Sequence, residues 1–299
     1  MARRAAERFW WYRAGIDNAP GGWIQKGVPR KRTYFMPSTP HPFPLLRSVI
    51  ELTRSIARPG VPGALKLVSM LAFGGLCFAQ STPPFLSTAA TLMSDLQKSA
   101  LTASTWPNVY GTPASIVWAG SQSTATTECS SFVTQLWSHT YGWNGTTFKS
   151  WMGQSSPNAA QYHDAIAQQN GFTLLRNISQ IAPGDIIAIA YYPEYQSPSG
   201  HVMIVQAPPQ ANSSKPIIAN TYQWTLSVID SSSSYHGTGD TRYAHPGGIG
   251  QGTFRLYTNP DGTVAGYTWS LLSTSLSTYY PQATTTATGH HLVIGRLTK

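Results

Sequence analysis

The sequence has few charged side chains and contains only two cysteines, Cys77 and Cys129. Asp, Glu, Lys and Arg make up 10% of the 299 residues, against about 25% in an average soluble domain. The formal net charge of +9 is confined to residues 1–79, with twelve basic and three acidic side chains, whereas 80–299 are balanced. A basic surface for nucleic-acid phosphates is therefore not expected in the folded part, and nucleic acid is excluded as a partner.

Motifs for metals and nucleotides are also missing. With one cysteine beyond residue 79 and no His-Glu-x-x-His spacing, the sequence predicts no zinc site. The glycine-rich segment 245–252, His-Pro-Gly-Gly-Ile-Gly-Gln-Gly, has no Gly-Lys-Ser/Thr and does not join a strand to a helix as a phosphate-binding loop does. We therefore expect neither a metal nor a cofactor.

The apolar run at 67–79 is too short for a stable membrane span, because it has thirteen residues and a spanning helix needs roughly 20. Lys66 precedes the run and the small residue Ala79 ends it. This order is typical of a secretory signal peptide, assigned to 61–79 with cleavage near Ala79. We expect export to the periplasm or the cell exterior; the alternative is a buried helix of a soluble domain.

Residues 1–60 are rich in Arg and Trp, are interrupted by four prolines between 37 and 44, and show no amphipathic period. We expect a disordered N-terminal extension, or a stretch upstream of the true translation start, which would then lie nearer residue 61 or 70.

Residues 80–299 are expected to form one domain of the α+β class. Helical spacing of apolar residues predicts helices at 85–101 and from Cys129 to Gly142, with Thr126 or Thr127 as the cap of the second. Residues 143–182 read as a mixed stretch with a helix at 159–168. Short apolar runs then predict strands, which continue to the C-terminus. These strands lie at 186–190, 200–206, 227–230, 254–258, 263–269 and 292–296.

Cys129 is the candidate nucleophile. After signal cleavage it is the sole thiol of an exported chain, and structural cysteines in an oxidising compartment come in pairs. A lone thiol is either buried and inert or reactive. Its position in the first turn of a helix favours reactivity, because free N–H groups there stabilise a thiolate and an oxyanion.

Three segments around this cysteine resemble the NlpC-type cell-wall peptidases. Glu128-Cys-Ser-Ser-Phe-Val resembles their Asp-Cys-Ser-Gly-Phe-Val, Pro183-Gly-Asp-Ile-Ile resembles Pro-Gly-Asp-Leu-Val, and Gly200-His-Val-Met-Ile-Val resembles Gly-His-Val-Gly-Ile-Tyr. The resemblance covers about 110–235 as the domain core, followed by the predicted C-terminal hairpin and strand. It implies a papain-like fold in which a cysteine-bearing helix packs on an antiparallel sheet.

The resemblance implies a catalytic triad of Cys129 as nucleophile, His201 as base and Asp230 as the residue that orients His201. Asp230 stands where the family commonly has His, Asn or Gln. It is also compatible with a simple turn, so other polar residues remain rivals for this role: Asn220, His236 and His245. Asp185 is expected to fix the turn that begins at Pro183.

Expected substrate contacts come from Ser130, Ser131 and Trp118, although helix capping by the serines and core packing by the tryptophan are open alternatives. Ile116 stands where the family has a tyrosine ahead of the cysteine, and Ser131 replaces a glycine. The interval between Cys129 and His201 is longer than in the family, which indicates an insertion within 143–182.

The sequence therefore predicts a cysteine hydrolase that cleaves an amide bond through an acyl-enzyme. The resemblance implies peptidoglycan stem peptides as substrate; another peptide or amide remains open. Two alternatives stand beside it: a non-catalytic module that binds cell wall or glycan, and an acyltransferase or deamidase on the same scaffold. The oligomeric state is not indicated.

Overall fold

The computed structural model describes residues 81–299 except 193–196, 244, 246, 273–276 and 283–288. The predicted N-terminal extension (1–60) and signal peptide (61–79) lie outside the described residues. The described residues are α+β, as the sequence predicts. Four α-helices occur among them: α1 (Pro84–Thr102), α2 (Cys129–Tyr141), α3 (Gly145–Met152) and α4 (Ala159–Ala167).

The strands form two sheets. The smaller contains β1 (Asn108–Tyr110), β2 (Ser115–Val117) and β3 (Thr124–Thr127) in the order β1-β3-β2. The larger is antiparallel and has the order β11-β10-β9-β8-β6-β5-β12-β4, with β7 also paired to β8. Its strands are β4 (Phe172–Leu175), β5 (Ile186–Tyr192), β6 (Gly200–Val205), β7 (Gln210–Asn212), β8 (Tyr222–Ser232), β9 (Gly248–Thr258), β10 (Val264–Thr268), β11 (Tyr279–Pro281) and β12 (Gly289–Leu297).

Successive side chains of the central strands contribute alternately to two hydrophobic clusters, one on each face of the large sheet. In β5, Ile186 and Ala188 contribute to the cluster beneath the helices, and Ile187 and Ile189 contribute to the cluster on the opposite face. Successive side chains of a strand point to opposite faces, so a strand buried on both sides reads as a continuous apolar run. The first cluster contains the apolar faces of all four described helices, and α2 packs on β6 and β8.

The two helices within 143–182 each begin at an asparagine N-cap. Asn144 caps α3 by accepting a hydrogen bond from the backbone N–H of Thr147 (3.0 Å), and Asn158 caps α4 through Gln161 in the same way (3.0 Å). The predicted helix at 159–168 is confirmed, whereas α3 was not assigned from sequence. No helix in the described part of the chain combines the length and apolar character needed to cross a bilayer.

Candidate active site

Cys129 is the first residue of α2 and follows directly on β3. On the same helix face and in the same hydrophobic cluster as Cys129, the helix buries Phe132, Val133, Leu136 and Trp137, none of which is exposed to solvent. This apolar face fixes α2 on the sheet and holds the thiol, which is 6% exposed, at the N-terminal end of the helix. Backbone N–H groups at that end have no partner within the helix, so they are suited to a developing negative charge.

The start of α2 differs from the prediction that Thr126 or Thr127 would cap it. Both threonines lie in β3, and the N-cap residue is Glu128, whose backbone N–H donates to the Ser131 hydroxyl (2.9 Å). Gly142 ends the helix in the left-handed region (φ 70°), as predicted. Thr127 instead donates through its hydroxyl to Ser231 (3.0 Å), which returns a bond to the Thr127 carbonyl (2.7 Å).

That reciprocal pair sets the distance between two predicted site residues. Thr127 lies two positions before Cys129, and Ser231 directly follows Asp230. The pair therefore joins the strand that leads into the nucleophile to the strand that carries the carboxylate.

His201 is placed by the pairing of β6 with β5. Gly200 opposes Ala190 and has a φ of 153°, and a Cβ at this position would overlap the carbonyl oxygen of Ile189. Only glycine allows the two backbones to approach so closely. The Gly-His sequence thus brings the imidazole to the start of β6, with 6% of the residue exposed.

The structure brings Cys129, His201 and Asp230 together. Nε2 of His201 donates to Oδ2 of Asp230 at 2.6 Å, and the Cys129 side chain lies close enough to the imidazole to act on the pKa of His201. Because Nε2 is engaged by Asp230, Nδ1 is the nitrogen left for the thiol. Burial alone would lower the pKa of His201, but the charge of Cys129 and the hydrogen bond to Asp230 outweigh burial and raise it to about 9.

Asp230 is fully buried and faces three nitrogen donors. Besides His201, Nε2 of His236 lies 3.2 Å from Oδ2 and Nη2 of Arg242 lies 2.8 Å from Oδ1. The arginine contact is an ion pair without the alignment of a hydrogen bond. Burial would raise the pKa of Asp230, but the charges of Arg242 and His236, together with the hydrogen bond from His201, hold it well below its usual value.

Arg242 and His236 are themselves held by Asp240. The Arg242 guanidinium donates to both Asp240 oxygens (2.9 and 2.7 Å), and the His236 backbone N–H donates to Oδ2 (2.8 Å). A buried network of paired charges and hydrogen bonds of this kind rigidifies its members. His236 was one rival for the role of Asp230; the structure places it behind Asp230 instead. Neither Arg242 nor Asp240 belongs to a motif that the sequence makes recognisable.

The alternating glycines of β9 make room for this network. A Cβ at Gly250 would lie 2.5 Å from Nε of Arg242, and one at Gly252 would lie 2.7 Å from Cβ of His236. Within β9, Gly250 and Gly252 therefore accommodate bulky polar neighbours. Alternating glycines within a strand indicate close approach, and this sequence signal was considered only as a phosphate-loop motif.

A cleft of about 270 Å³ opens in front of His201. Aromatic residues and the serines 232–234 form its wall. The aromatic residues are Tyr110, Tyr191, Tyr267, Trp269, Tyr280 and His290. Tyr110 was not predicted as a site residue. The resembled family has a tyrosine at the position of Ile116, whereas here β1 supplies a tyrosine from position 110. Burial, followed by the charges of Cys129 and Glu128, raises the pKa of Tyr110, so its hydroxyl stays protonated.

The predicted substrate contacts do not line this cleft. Trp118 stacks on His139 with ring centroids 3.9 Å apart, and the Ser131 hydroxyl takes part in the helix start described above. Ser130 is 9% exposed, and its carbonyl accepts from the Thr134 hydroxyl (2.9 Å). The placement of Ser131 favours helix capping and that of Trp118 favours packing, whereas the bond at Ser130 involves its backbone alone.

The remaining rivals of Asp230 lie elsewhere. His245 stacks on Trp106 with centroids 3.7 Å apart, and Asn220 adopts a positive φ of 60° in a turn before β8. Asp185 accepts from the backbone N–H of Ala182 (2.7 Å) and pairs with Arg296 (2.8 Å), which agrees with its expected turn role. Within the described residues, no group of three or more His, Cys, Asp or Glu side chains is arranged to hold a metal ion.

Comparison with known proteins gives one match. No protein-family model matches the sequence, and no solved structure matches it significantly. The chain is 35% identical over 197 residues to the "Uncharacterized protein R653" of Acanthamoeba polyphaga mimivirus, with 60% of this chain and 84% of the viral protein covered. At this identity and coverage, the chain belongs to the same protein family as this mimivirus protein.

Proposed function

We propose that the protein is an exported cysteine hydrolase that cleaves amide bonds, with the stem peptides of peptidoglycan as its substrate. The observation that carries the proposal is the placement of His201 between the Cys129 thiol and the Asp230 carboxylate. Nucleophilic catalysis of this type needs a nucleophile, a base and a group that orients the base. Such a triad is recognised by its geometry, whatever the order of the three residues along the chain.

The surroundings of the triad support a papain-like arrangement of the NlpC type. The nucleophile begins a helix that packs on β6 and β8, and these two antiparallel strands carry the histidine and the carboxylate. This is the layout that the resemblance implies. The proposed export follows from the segment 61–79, and N-terminal sequencing of secreted protein tests it: a mature start at Gln80 supports export, and an intact Met1 contradicts it.

The chemical steps follow from the geometry. The Cys129 thiolate, paired with protonated His201, attacks the carbonyl carbon of the amide and forms a C–S bond. The Cys129 backbone N–H and the Tyr110 hydroxyl stabilise the oxyanion. His201 then donates its proton to the leaving nitrogen as the C–N bond breaks. In the second half, His201 takes a proton from water, which attacks the thioester and releases the carboxylic acid, while Asp230 remains ionised throughout.

The experiment compares the full-length wild type with Cys129→Ala and Cys77→Ala on purified peptidoglycan. Released fragments are identified by mass spectrometry. We expect new peptide termini from the wild type and from Cys77→Ala, and none from Cys129→Ala, because Cys77 has no part in the proposed site. Equal release by all three proteins, or no release by any of them, contradicts the proposed function.

A further inference from the structure

A second cavity of about 440 Å³ adjoins the cleft in front of His201. The two cavities share four wall residues, Ser233, Ser234, Trp269 and Tyr280, so they adjoin along one serine segment. The second cavity adds Leu272 and Thr278 to the wall. A substrate that fills both cavities must therefore extend well beyond the amide that reacts at His201.

Three ring-bearing side chains of the wall, His290, Tyr191 and Tyr267, are uncharged at neutral pH. His290 stacks against Tyr191 (4.2 Å) and Tyr280 (4.3 Å), and its Nδ1 lies 2.6 Å from the Tyr267 hydroxyl. Burial lowers the pKa of His290, and burial together with neighbouring charges raises the pKa of Tyr191 and Tyr267. The wall thus offers neutral hydroxyl and imidazole groups for hydrogen bonding.

The cationic side chains are engaged elsewhere. Of the eight Lys and Arg residues after residue 80, none belongs to the described wall of either cavity. Arg242 binds Asp230 and Asp240, Arg255 donates to the carbonyl of Leu271 (2.7 Å), and Arg296 pairs with Asp185. The internal segments outside the described residues contain no Lys or Arg in their sequence, and one acidic residue, Glu194.

These features set the chemistry that the cleft accepts. No Lys or Arg lines the described wall, and the His201 imidazolium is already paired with the Asp230 carboxylate. A substrate carboxylate moved from water into this cleft therefore loses its hydration and gains mainly neutral hydrogen bonds, whereas a carboxamide or hydroxyl exchanges water for comparable partners. Resting on the proposed function, we propose that the cleft selects an uncharged substrate segment: a peptide whose side-chain carboxyls are amidated is accepted in preference to the same peptide with free carboxylates.

The test separates binding from cleavage. A purified peptidoglycan stem peptide is divided in two, and one half is converted to its carboxamides with ammonia and carbodiimide. Binding of both forms to full-length Cys129→Ala is measured by isothermal titration calorimetry, and cleavage of both forms by the wild type is followed separately. We expect the amidated form to bind about tenfold or more tightly than the acid form, as the loss of a compensated polar contact implies.

A pair of matched variants tests the electrostatic cause. Ser233→Lys, in the Cys129→Ala background, places a cation at the junction of the two cavities and should reduce the preference about tenfold or reverse it. Ser94→Lys adds the same charge on the exposed face of α1 and should leave the preference unchanged.

Equal or weaker binding of the amidated form, or binding of neither form, overturns the inference, as does an unchanged preference in Ser233→Lys. Preferential binding of the amidated form without cleavage by the wild type supports the inference and contradicts the proposed hydrolase instead. The two failures are thus distinguishable.

Discussion

At the scale of single residues, the protonation of His201 determines the pH range of the proposed reaction. The thiolate–imidazolium pair exists below the pKa of His201, which is raised to about 9, so kcat/KM should fall as the pH rises through that value. The raised pKa of His201 also makes the free energy of unfolding depend on pH. Since the pKa is raised from 6.5, protonated His201 stabilises the fold fully below pH 6.5, and this contribution is lost as the pH rises through about 9.

Asp230→Asn should lower kcat/KM by about 10²- to 10⁴-fold. It should also move the alkaline limb of the pH profile below 9, because the carboxylate that favours the imidazolium is gone. Loss of a buried ion-pair partner should destabilise the fold by about 3–5 kcal/mol as well. The measurements are a pH–rate profile and denaturant unfolding.

Asp240→Asn is the matched control for that variant. It removes a buried carboxylate from the same network without touching His201, so it should destabilise to a similar extent and leave the alkaline limb near that of the wild type. An identical shift in both variants would mean that Asp230 has a structural role alone.

Tyr110→Phe tests the hydroxyl next to the nucleophile. If Tyr110 donates to the oxyanion, its loss should reduce kcat by about 10²-fold, with little change in KM or in the unfolding midpoint. Tyr222→Phe removes an exposed hydroxyl that lies outside the described walls of both cavities, and should retain most of the activity. Equal kcat values for the two variants would rule out the assigned role of Tyr110.

At the scale of secondary-structure elements, β9 is shaped by the network that it covers. Gly252→Ala should destabilise the fold by about 1–3 kcal/mol, because the new methyl group would lie 2.7 Å from Cβ of His236. It should also lower kcat by displacing His236 and, through it, Asp230. Gly239→Ala is the control, since a Cβ there meets nothing within 4 Å. Denaturant unfolding and steady-state kinetics of both variants give the comparison, and equal effects would contradict the steric explanation.

The sequence predicts those elements whose periodicity is long or whose ends are capped. The first helix was predicted at 85–101 and is observed at Pro84–Thr102, and the final strand, predicted at 292–296, is observed at Gly289–Leu297. The short strands β1 and β2 were not predicted, because three residues are too few for a period to show. They matter nonetheless, since β1 carries Tyr110.

The residues of the candidate site were likewise predicted only in part. Cys129 and His201 each lie in a local motif, and the structure brings the predicted triad together. Arg242, His236 and Asp240 lie in irregular backbone between β8 and β9, where no period marks them. Their role arises from the path of the loop that connects β8 to β9, which turns back beside Asp230. Local sequence patterns do not encode this proximity, and only the glycines of β9 hint at it.

At the scale of the whole molecule, the last strand lies inside the large sheet. β12 pairs with β5 over seven residues and with β4 over four, and it buries Leu292, Val293 and Ile294. Arg296 at its end pairs with Asp185, which is 1% exposed. The region of family resemblance, 110–235, therefore does not contain the whole sheet that supports the triad.

Deletion of 289–299 should abolish cooperative unfolding. Each buried aliphatic side chain contributes about 1.5–3 kcal/mol, so the three in β12 together approach a typical total stability of about 5–15 kcal/mol. The deletion also leaves β4 without its described partner, an edge of β5 unpaired and the Asp185 carboxylate without its guanidinium.

Deletion of Lys299 alone removes a cation 5.2 Å from the Trp151 ring and should cost about 0.5–1 kcal/mol. Thermal unfolding, followed by circular dichroism, compares the two deletions with the full chain. If the longer deletion unfolds cooperatively within a few degrees of the wild type, the strands from β5 to β11 form a stable sheet without β12.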